Sequence, residues 1–390
     1  MNDLNGFAQL FSPSLFDDLP YLHDVGARSF GSLDSISNQY ISPNQDAASL
    51  RSFDFDYGFG LINANAAVSM ALGLDHSFSN PPDPLINSYG PSLINVPAVW
   101  DQGYTGRDII VAVIDTGIDL NHPDLAGSFW QNPREIPGDR LDNDNNGYID
   151  DLYGYDFVSR DNNPRHTTSR EQHGTHVAGI ITANRNGADA IDSNNRTYEV
   201  TGIAYDALIM PIRVLNSSGR GTSQAVASGI RYAADNGAHI INLSLGSPMI
   251  SNLELEAIRY AEQKGLVVVA ASGNHGYTAV VPEYPARLAA TADFGIAVGA
   301  VNRNNQVAQF SNPAGDQPSY PFVVAPGVSI LSTIPNGNYA LLSGTSMAAP
   351  HVSGVLALML QANPSLTPRQ IKDILSYTST PIASRDLPTS

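Results

Sequence analysis

The sequence predicts an α/β protein with a mostly parallel, twisted sheet and helices on both faces. Short apolar runs rich in β-branched residues recur along the chain, such as IIVAVI at 109–114 and LVVVAA at 266–271. Amphipathic segments of helical length alternate with these runs, as at 222–236 and 252–264. Near-continuous apolar strands that alternate with helices are typical of a parallel sheet covered on both faces.

The same alternation predicts further strands at 208–215, 239–245 and 295–301 and further helices at 346–362 and 367–375. Upstream of all of them, YGFGLINANAAV at 57–68 predicts a short strand that leads into a small Ala-rich helix. So short a helix is not stable alone in water. We therefore expect this segment to pack against a surface formed elsewhere in the chain.

Composition restricts the classes of partner. The 390 residues are 42% hydrophobic, which is enough for a large globular core. Asp and Glu outnumber Lys and Arg by 37 to 20, and the formal net charge of −17 repels phosphate backbones and anionic lipids. We therefore expect neither nucleic acid nor membrane partners. The chain has no cysteine, which excludes disulfides, a thiol nucleophile and zinc–thiolate sites.

The sequence leaves the compartment open. No signal peptide or transmembrane segment is visible in it, so periplasmic, secreted and cytoplasmic locations are all compatible with the residues. The oligomeric state is open as well, because no pattern in the sequence addresses it.

Three motifs at the expected strand ends carry residues suited to nucleophilic catalysis, since sites in parallel sheets form at the carboxyl ends of strands. Asp115 follows IIVAVI in DTGID, His173 opens HGTHVAG, and Ser346 lies in SGTSMAAPH before a long apolar helix. Each has an ordinary alternative: a turn aspartate, a helix-start histidine or a metal pair with His176, and a helix-capping serine. The zinc-protease pattern H-E-x-x-H is absent.

The order of these residues along the chain separates two kinds of serine hydrolase. The α/β-hydrolases need a usable histidine after the serine, and only His351 follows Ser346, on the same predicted helix. The order Asp115, His173, Ser346 is that of the subtilisins. The three motifs resemble the signatures of the subtilisin-like serine proteases, peptidase family S8, and the similarity extends over about residues 95–380.

The resemblance implies the subtilisin-like three-layer fold and a serine endopeptidase that hydrolyses protein or peptide substrates through an acyl-enzyme. Asp115 would orient His173, His173 would act as general base and then general acid, and Ser346 would be the nucleophile. Asn274, at the end of VVVAASGN, resembles the family's oxyanion asparagine. The alternative is a calcium-stabilised, non-catalytic binding module of the same fold, and an esterase would share the chemistry. The four filled catalytic positions favour the protease.

Two glycine-containing segments resemble the edges between which family members hold an extended substrate as an added strand. The predicted substrate-binding residues of these edges are Ser244, Leu245, Gly246, Gly219 and Gly221. Glu283 precedes a Tyr-Pro pair, and its place in the sequence resembles that of the residue at the base of the primary specificity pocket in subtilisin-like enzymes. A carboxylate there favours a cationic side chain and predicts cleavage after Arg or Lys. Ordinary tight turns and a solvent-facing glutamate are the alternatives.

An Asp- and Asn-rich insert at 139–153 matches the first half of an EF-hand loop, and Ca2+ is the expected cofactor. Its predicted ligands are Asp142, Asp144, Asn146, the Tyr148 carbonyl and Asp150. Tyr153 occupies the twelfth position in place of Glu, so an EF-hand helix pair is not implied. Asp124 resembles the carboxylate of a second calcium site of the family, near a loop at about 184–200 that is longer here. An Asx-rich loop without metal is the alternative.

The predicted organisation is an N-terminal extension at 1–52 that could serve as a short pro-segment, a strand–helix segment at 53–78, a linker at 79–94 and the catalytic domain at 95–390. In the family, a segment similar to YGFGLINANAAV follows the last helix of the domain. We therefore predict that residues 53–78 dock where that segment docks, as a circular permutation. A remnant of a preceding repeat is the alternative. If Glu283 sets specificity, Arg28 and Arg51 are candidate self-cleavage points.

Overall fold

A seven-stranded sheet forms the centre of the molecule, in a computed structural model that describes residues 53–79, 88–187, 190–191, 197–249, 251–289, 295–317 and 320–383. The strands of this sheet are β1 (Ile110–Asp115), β2 (Tyr155–Asp156), β5 (Leu208–Arg213), β6 (Ile240–Leu243), β7 (Val267–Ala271), β8 (Ile296–Val301) and β9 (Phe322–Pro326). They lie in the order β2-β5-β1-β6-β7-β8-β9. Every neighbouring pair in this sheet is parallel.

Two small antiparallel hairpins accompany the sheet. They consist of β3 (Ala190–Ile191) with β4 (Thr197–Tyr198), and β10 (Ile330–Ile334) with β11 (Asn338–Leu342). The N-terminal extension, with Arg28 and Arg51, lies outside the described residues, as do parts of the predicted linker and of the 184–200 loop.

Helices cover the sheet. They are α1 (Ala64–Ala71), α2 (Tyr89–Leu93), α3 (Pro97–Trp100), α4 (His173–Thr182), α5 (Ser223–Asp235), α6 (Asn252–Gln263), α7 (Thr345–Ala362) and α8 (Pro368–Thr378), with a 3-10 turn at Pro123–Leu125. The bounds of α5 to α8 follow the predicted helical segments apart from shifts at their ends, whereas α2 and α3 were not predicted. Helices α4 and α7 pack against each other and against the sheet, whereas α5 pairs with α6. Strands β6 to β9 are buried along their whole length, as helices on both faces require. The predicted fold class is confirmed.

The segment at 53–78 covers the edge of this sheet. Leu61 pairs in parallel with Val324 of β9 and antiparallel with Thr380, which follows α8. Phe59 N–H donates to the Phe322 carbonyl at 2.9 Å, and α1 packs against α7 and α8. Because β9 is the last strand of the sheet, these contacts occupy backbone groups that an edge strand would otherwise expose.

Glycine is required where this segment meets its neighbours. Gly58 and Gly60 have φ angles of 60° and 112°, which favour glycine. A Cβ atom at Gly58 would lie 2.3 Å from the Phe322 carbonyl oxygen, and one at Gly60 would lie 2.2 Å from the Thr380 carbonyl oxygen. The two glycines of YGFG therefore allow the backbones to approach.

Some elements carried no clear sequence signal. Strand β9, the β10–β11 hairpin and α2, which falls within the predicted linker, were not expected from the alternation of apolar runs. No helix in the described ranges is both long and apolar enough to cross a lipid bilayer.

Candidate active site

Asp115 and His173 form a directly hydrogen-bonded pair at the carboxyl end of strand β1, which lies inside the sheet between β5 and β6. Asp115 is fully buried as the last residue of that strand, and His173 is the first residue of α4. His173 Nδ1 lies 2.8 Å from Asp115 Oδ1 and 2.9 Å from Oδ2. Burial alone would lower the pKa of His173, but the charge and hydrogen bond of Asp115 raise that pKa above the usual histidine value. The side chain remains 32% exposed, so its free edge is accessible from the cleft.

The small residues that follow His173 let α4 begin close to β1. A Cβ atom at Gly174 would lie 2.4 Å from the Gly117 carbonyl oxygen, and Gly174 N–H donates to Thr116 Oγ1 at 3.1 Å. His176 has a different environment. Its Nε2 lies 3.0 Å from the carbonyl oxygens of both Ile330 and Ala340, and burial lowers its pKa to about 4. These contacts tie α4 to the β10–β11 hairpin and favour a structural role for His176.

Ser346 is the second residue of α7 and is linked reciprocally to Ser244. Ser346 Oγ donates to the Ser244 carbonyl oxygen at 3.2 Å, and Ser244 Oγ donates to the Ser346 carbonyl oxygen at 2.8 Å. The Ser346 hydroxyl is thus held by the 244–246 edge in this conformation. The χ1 torsion of Ser346 has other staggered positions, and a change between them does not require the helix to move.

Asn274 follows β7 and is oriented by the first residue of α7. Asn274 Oδ1 accepts hydrogen bonds from Thr345 N at 2.9 Å and from Thr345 Oγ1 at 3.1 Å. With its oxygen occupied by Thr345, the amide group keeps Nδ2 as a donor, and Asn274 lines the same cleft as Ser346. Sequence reasoning identified Asn274 but did not identify Thr345 as the residue that orients it.

His173, Ser346 and Asn274 line one open cleft of about 670 Å³. The predicted edge residues line the same cleft: Ser244, Leu245, Gly246, Gly219 and Gly221. The structure therefore brings His173, Ser346 and Asn274 to one surface with the predicted substrate-binding edges, while Asp115 lies buried behind His173.

Glu283 lies at the wall of this cleft between two backbone segments. Cβ atoms at Gly246 and Gly273 would lie 2.6 Å from Glu283 Oε2 and 2.9 Å from its carboxyl carbon, so glycine makes room for the carboxylate at both positions. His275 Nδ1 lies 2.5 Å from Glu283 Oε1. The Glu283 side chain is only 16% exposed, in contrast to a solvent-facing loop glutamate.

A group of carboxylates occurs at the insert, and it differs from the predicted ligand set. Glu135, Asp144 and Asp151 offer oxygen atoms that all lie within 4.8 Å of one another. Asp151 is fully buried, and its pKa is raised by burial, although Tyr232, Asn146 and Asn132 donate hydrogen bonds that oppose this effect. Three carboxylates this close repel one another, and oxygen ligands of this kind suit a hard cation such as Ca2+.

Other predicted ligands point elsewhere. Asp150 accepts hydrogen bonds from the backbone N–H groups of Gly138 and Arg140, at 2.8 and 3.0 Å. Asp142 accepts from Asn146 N at 3.0 Å and Gly147 N at 2.8 Å, as in an Asx-rich turn. Sequence reasoning missed Glu135 because it lies upstream of the insert. It missed Asp151 because the EF-hand spacing selects Asp150.

Of the remaining predicted ligands, Asn146 contacts this carboxylate group, whereas Asp124 does not belong to it. Asn146 Nδ2 donates to Asp144 Oδ2 and Asp151 Oδ2, at 3.3 and 3.0 Å, and Tyr148 N donates to Asn146 Oδ1 at 2.8 Å. Asp124 is buried, and its Oδ1 accepts from Asn186 Nδ2 at 3.0 Å. Asp124 does not belong to the Glu135, Asp144 and Asp151 group, the carboxylates among the described residues that are close enough together to hold a metal ion. The second calcium site remains a prediction.

The fold and the residues in and beneath the cleft define a serine hydrolase. It has the Asp115–His173 pair, with Asn274 beside Ser346. Residues 106–388 match the model of the subtilase family, peptidase S8. The chain is 40% identical to the subtilisin of Bacillus pumilus over 298 residues, which cover 76% of this chain and 92% of that protein. It is 40% identical to subtilisin E of Bacillus subtilis (strain 168), over 75% of this chain and 66% of that protein.

Two solved structures are similar to this one. A cold-adapted subtilisin-like serine proteinase matches with a TM-score of 0.54 and 32% identity, over 70% of this chain and 82% of that chain. Sphericase matches with a TM-score of 0.55 and 34% identity, over 70% of this chain and 83% of that chain. The chain belongs to the subtilase family of serine endopeptidases, which act on proteins or peptides.

Proposed function

We propose that this subtilase cleaves peptide bonds after Arg or Lys, with Ser346 as nucleophile. Ser346 Oγ attacks the carbonyl carbon of the substrate while His173 takes the hydroxyl proton, and Asp115 stabilises the imidazolium. The oxyanion accepts hydrogen bonds from Asn274 Nδ2 and from the backbone N–H of Ser346. His173 then gives its proton to the leaving amine, which leaves an acyl-enzyme on Ser346. Water activated by His173 hydrolyses the acyl-enzyme and restores the serine.

The observation that carries the specificity is the Glu283 carboxylate, enclosed between Gly246 and Gly273 beside Asn274. A side chain of the residue at the cleaved bond that enters this part of the cleft meets a negative charge in a partly desolvated setting. An Arg or Lys side chain gains an ion pair there, whereas an apolar side chain leaves the carboxylate without a new partner. An extended backbone can reach this position because the 219–221 and 244–246 edges contain glycine.

A comparison of Glu283→Gln with the parent enzyme tests this specificity. Matched peptides that differ only in Arg, Lys, Leu or Phe at the cleaved bond would be compared by kcat/KM. We expect the preference for Arg and Lys to fall about tenfold or more in Glu283→Gln. Glu256→Gln, which changes a glutamate that is 62% exposed on α6, is the matched control and should leave the preference unchanged. An unchanged preference in Glu283→Gln would contradict the proposal.

Labelling with a serine-directed phosphonate tests the catalytic role independently of specificity. The parent enzyme should be labelled at Ser346, and Ser346→Ala should not be labelled. A folded parent chain that takes no label and cleaves no peptide would instead support a non-catalytic binding module.

We also propose a calcium site at Glu135, Asp144 and Asp151. The proposal is supported by the donor set, in which three largely buried carboxylates converge. Arg134 pairs with Asp144 at 2.9 Å and therefore offsets only one of the three negative charges. A bound Ca2+ would neutralise their mutual repulsion and fix the insert to the catalytic domain. The ligands Asp142, Asn146, Tyr148 and Asp150, and the second site at Asp124, are the alternative assignment that the sequence suggests.

We further propose that residues 53–78 are a circularly permuted part of the catalytic domain. The backbone pairing of Leu61 with Val324 and Thr380 supports this proposal, because it joins the segment to the edge strand and to the residue after α8. In the family, a similar segment follows the last helix. A short connection suffices for the permutation if the two ends lie near each other.

A further inference from the structure

A second carboxylate lines the substrate cleft, and the reaction described above does not use it. Glu254 is the third residue of α6 and lines the cleft together with Ser223 and Gly221. Only 7% of Glu254 is exposed. A nearly buried carboxylate at the wall of a peptide-binding cleft requires an explanation, because burying a charge without a partner is costly.

A helix cap would be the ordinary explanation, and the contacts do not support it. Ser251 and Glu254 have capping-box spacing, and Ser251 Oγ accepts from Glu254 N at 3.4 Å. The return bond from the glutamate side chain to the Ser251 backbone is absent from this helix, and the Glu254 side chain instead lines the cleft wall with Ser223. At α8, by contrast, Thr367 and Gln370 form both bonds of the box. The Glu254 carboxyl therefore takes no part in capping the helix and is available to groups bound in the cleft.

No cation of the described residues neutralises this carboxyl. Two other glutamates of α6 form ion pairs, Glu256 with Arg259 and Glu262 with Lys372, whereas Glu254 forms none with a described residue. Burial raises the pKa of Glu254, and the hydrogen bond from Ser223 opposes this effect only in part. A cationic group of a bound peptide would both pair with the carboxylate and satisfy its remaining oxygen lone pairs.

We propose that Glu254 binds the side chain of a second basic residue in the substrate, upstream of the residue that Glu283 recognises. Glu283 lies where the 244–246 and 272–274 segments meet, beside Asn274. Glu254 lies instead beside Ser223, two residues beyond the Gly219–Gly221 edge. An extended peptide between the two edges directs alternate side chains to the same face, so at least one residue separates two side chains on that face.

The preferred substrate then carries two Arg or Lys residues on the acyl side of the cleaved bond, separated in sequence. This inference rests on the proposed function, since it assumes that the peptide lies in the cleft with the residue at the cleaved bond beside Glu283. It deepens that function from recognition of one basic residue to recognition of a pair.

Peptides with Arg fixed at the cleaved bond test the inference. Lys, Arg, Gln and norleucine would be placed in turn at each of the next four upstream positions, and kcat/KM measured for the parent, Glu254→Gln and Glu256→Gln enzymes. We expect one position at which a basic residue raises kcat/KM about tenfold or more in the parent. This gain should be lost in Glu254→Gln and kept in Glu256→Gln, whose altered side chain lies on the exposed side of the same helix.

Glu283→Gln separates this inference from the proposed function. If both hold, Glu283→Gln loses the preference at the cleaved bond and keeps the upstream preference, whereas Glu254→Gln does the reverse. If only the proposed function fails, the upstream preference is still lost in Glu254→Gln. The inference is overturned if no upstream position shows a preference for Lys and Arg over both neutral residues that depends on Glu254. Phosphonate titration of each variant ensures that equal amounts of folded enzyme are compared.

Discussion

The guanidinium of Arg213 and the carboxylate of Glu171 form an ion pair at 3.1 Å, with both side chains almost completely buried. Glu171 lies two residues before His173, and Arg213 is the last residue of β5 beside Asp115 of β1. The same guanidinium donates to the Thr116 carbonyl oxygen at 3.0 Å and pairs with Asp156 at 2.7 Å. One side chain thus connects the segments that carry Asp115 and His173.

Replacing Arg213 should reduce turnover more than substrate binding. In Arg213→Met the segments on either side of the Asp115–His173 pair lose their common anchor. Displacements of about 1 Å at a reacting group cost on the order of 100-fold in rate. We expect kcat to fall about 10- to 100-fold with little change in KM, and stability to fall by about 3–5 kcal/mol because two buried carboxylates lose their partner.

Kinetics on folded enzyme, together with thermal unfolding, would measure both effects. Arg213→Lys keeps the charge but loses the planar fork, so it should recover stability better than turnover. Arg231→Met is a matched surface control, since Arg231 is exposed and stacks on Tyr260. An Arg213→Met enzyme with unchanged kcat would rule out a positioning role.

The pH profile should report the raised pKa of His173. His173 must be neutral to accept the Ser346 proton, so activity is full above its pKa and falls as the pH drops through it. Because Asp115 raises that pKa, the acidic limb of kcat/KM should lie above the ordinary histidine value of about 6.5. In Asp115→Asn the limb should move to lower pH, and kcat should fall about 10⁴-fold, as for other serine proteases of this type.

The exposed Asp101 offers a control for this measurement. Asp101→Asn removes one negative charge from an exposed side chain at the end of α3, which forms no hydrogen bond to His173, and should leave the limb in place. An acidic limb that does not move in Asp115→Asn would show that another group titrates in this range.

Removal of calcium should lower thermal stability through the insert. If Ca2+ binds only the folded state, saturation at 100 times Kd contributes about 2.7 kcal/mol, and chelation should lower Tm by about 3–4 °C for a chain of this length. Asp151→Asn and Asp144→Asn should abolish this difference. Asp150→Asn should retain it, because Asp150 accepts hydrogen bonds from Gly138 and Arg140 instead.

The reverse pattern, with Asp150 required and Asp151 dispensable, would favour the ligand set suggested by the EF-hand spacing. A Tm that chelator leaves unchanged in the parent enzyme would exclude a stabilising metal at either set.

Gly60→Ala should destabilise the catalytic domain through the segment at 53–78. The added Cβ would meet the Thr380 carbonyl at a positive φ, and overpacking of this kind typically costs about 1–3 kcal/mol beyond the backbone strain. Gly265→Ala is the matched control, because Gly265 also has a positive φ, of 90°, and has open space around its Cβ position. Equal losses in the two variants, measured by denaturant unfolding, would indicate that the packing of Gly60 contributes nothing.

The sequence predicted the fold class and the candidate catalytic groups because both depend on patterns of residues that are adjacent in the chain. Apolar strands buried on two faces leave near-continuous runs such as IIVAVI, and motifs around Asp115, His173 and Ser346 hold each side chain at the end of one strand or the start of one helix. Such positions depend on residues adjacent in sequence, so they can be recognised before the elements are assembled.

Tertiary structure decided the contacts between distant segments. It determined that Asp151 converges with Glu135 while Asp150 turns to the backbone, since the direction of a loop side chain depends on the turns around it. It determined that Glu254 faces Ser223 and leaves its helix cap incomplete. It also determined that Leu61 pairs with Val324 and Thr380, because the surface that stabilises a short helix forms only when remote strands and helices have packed.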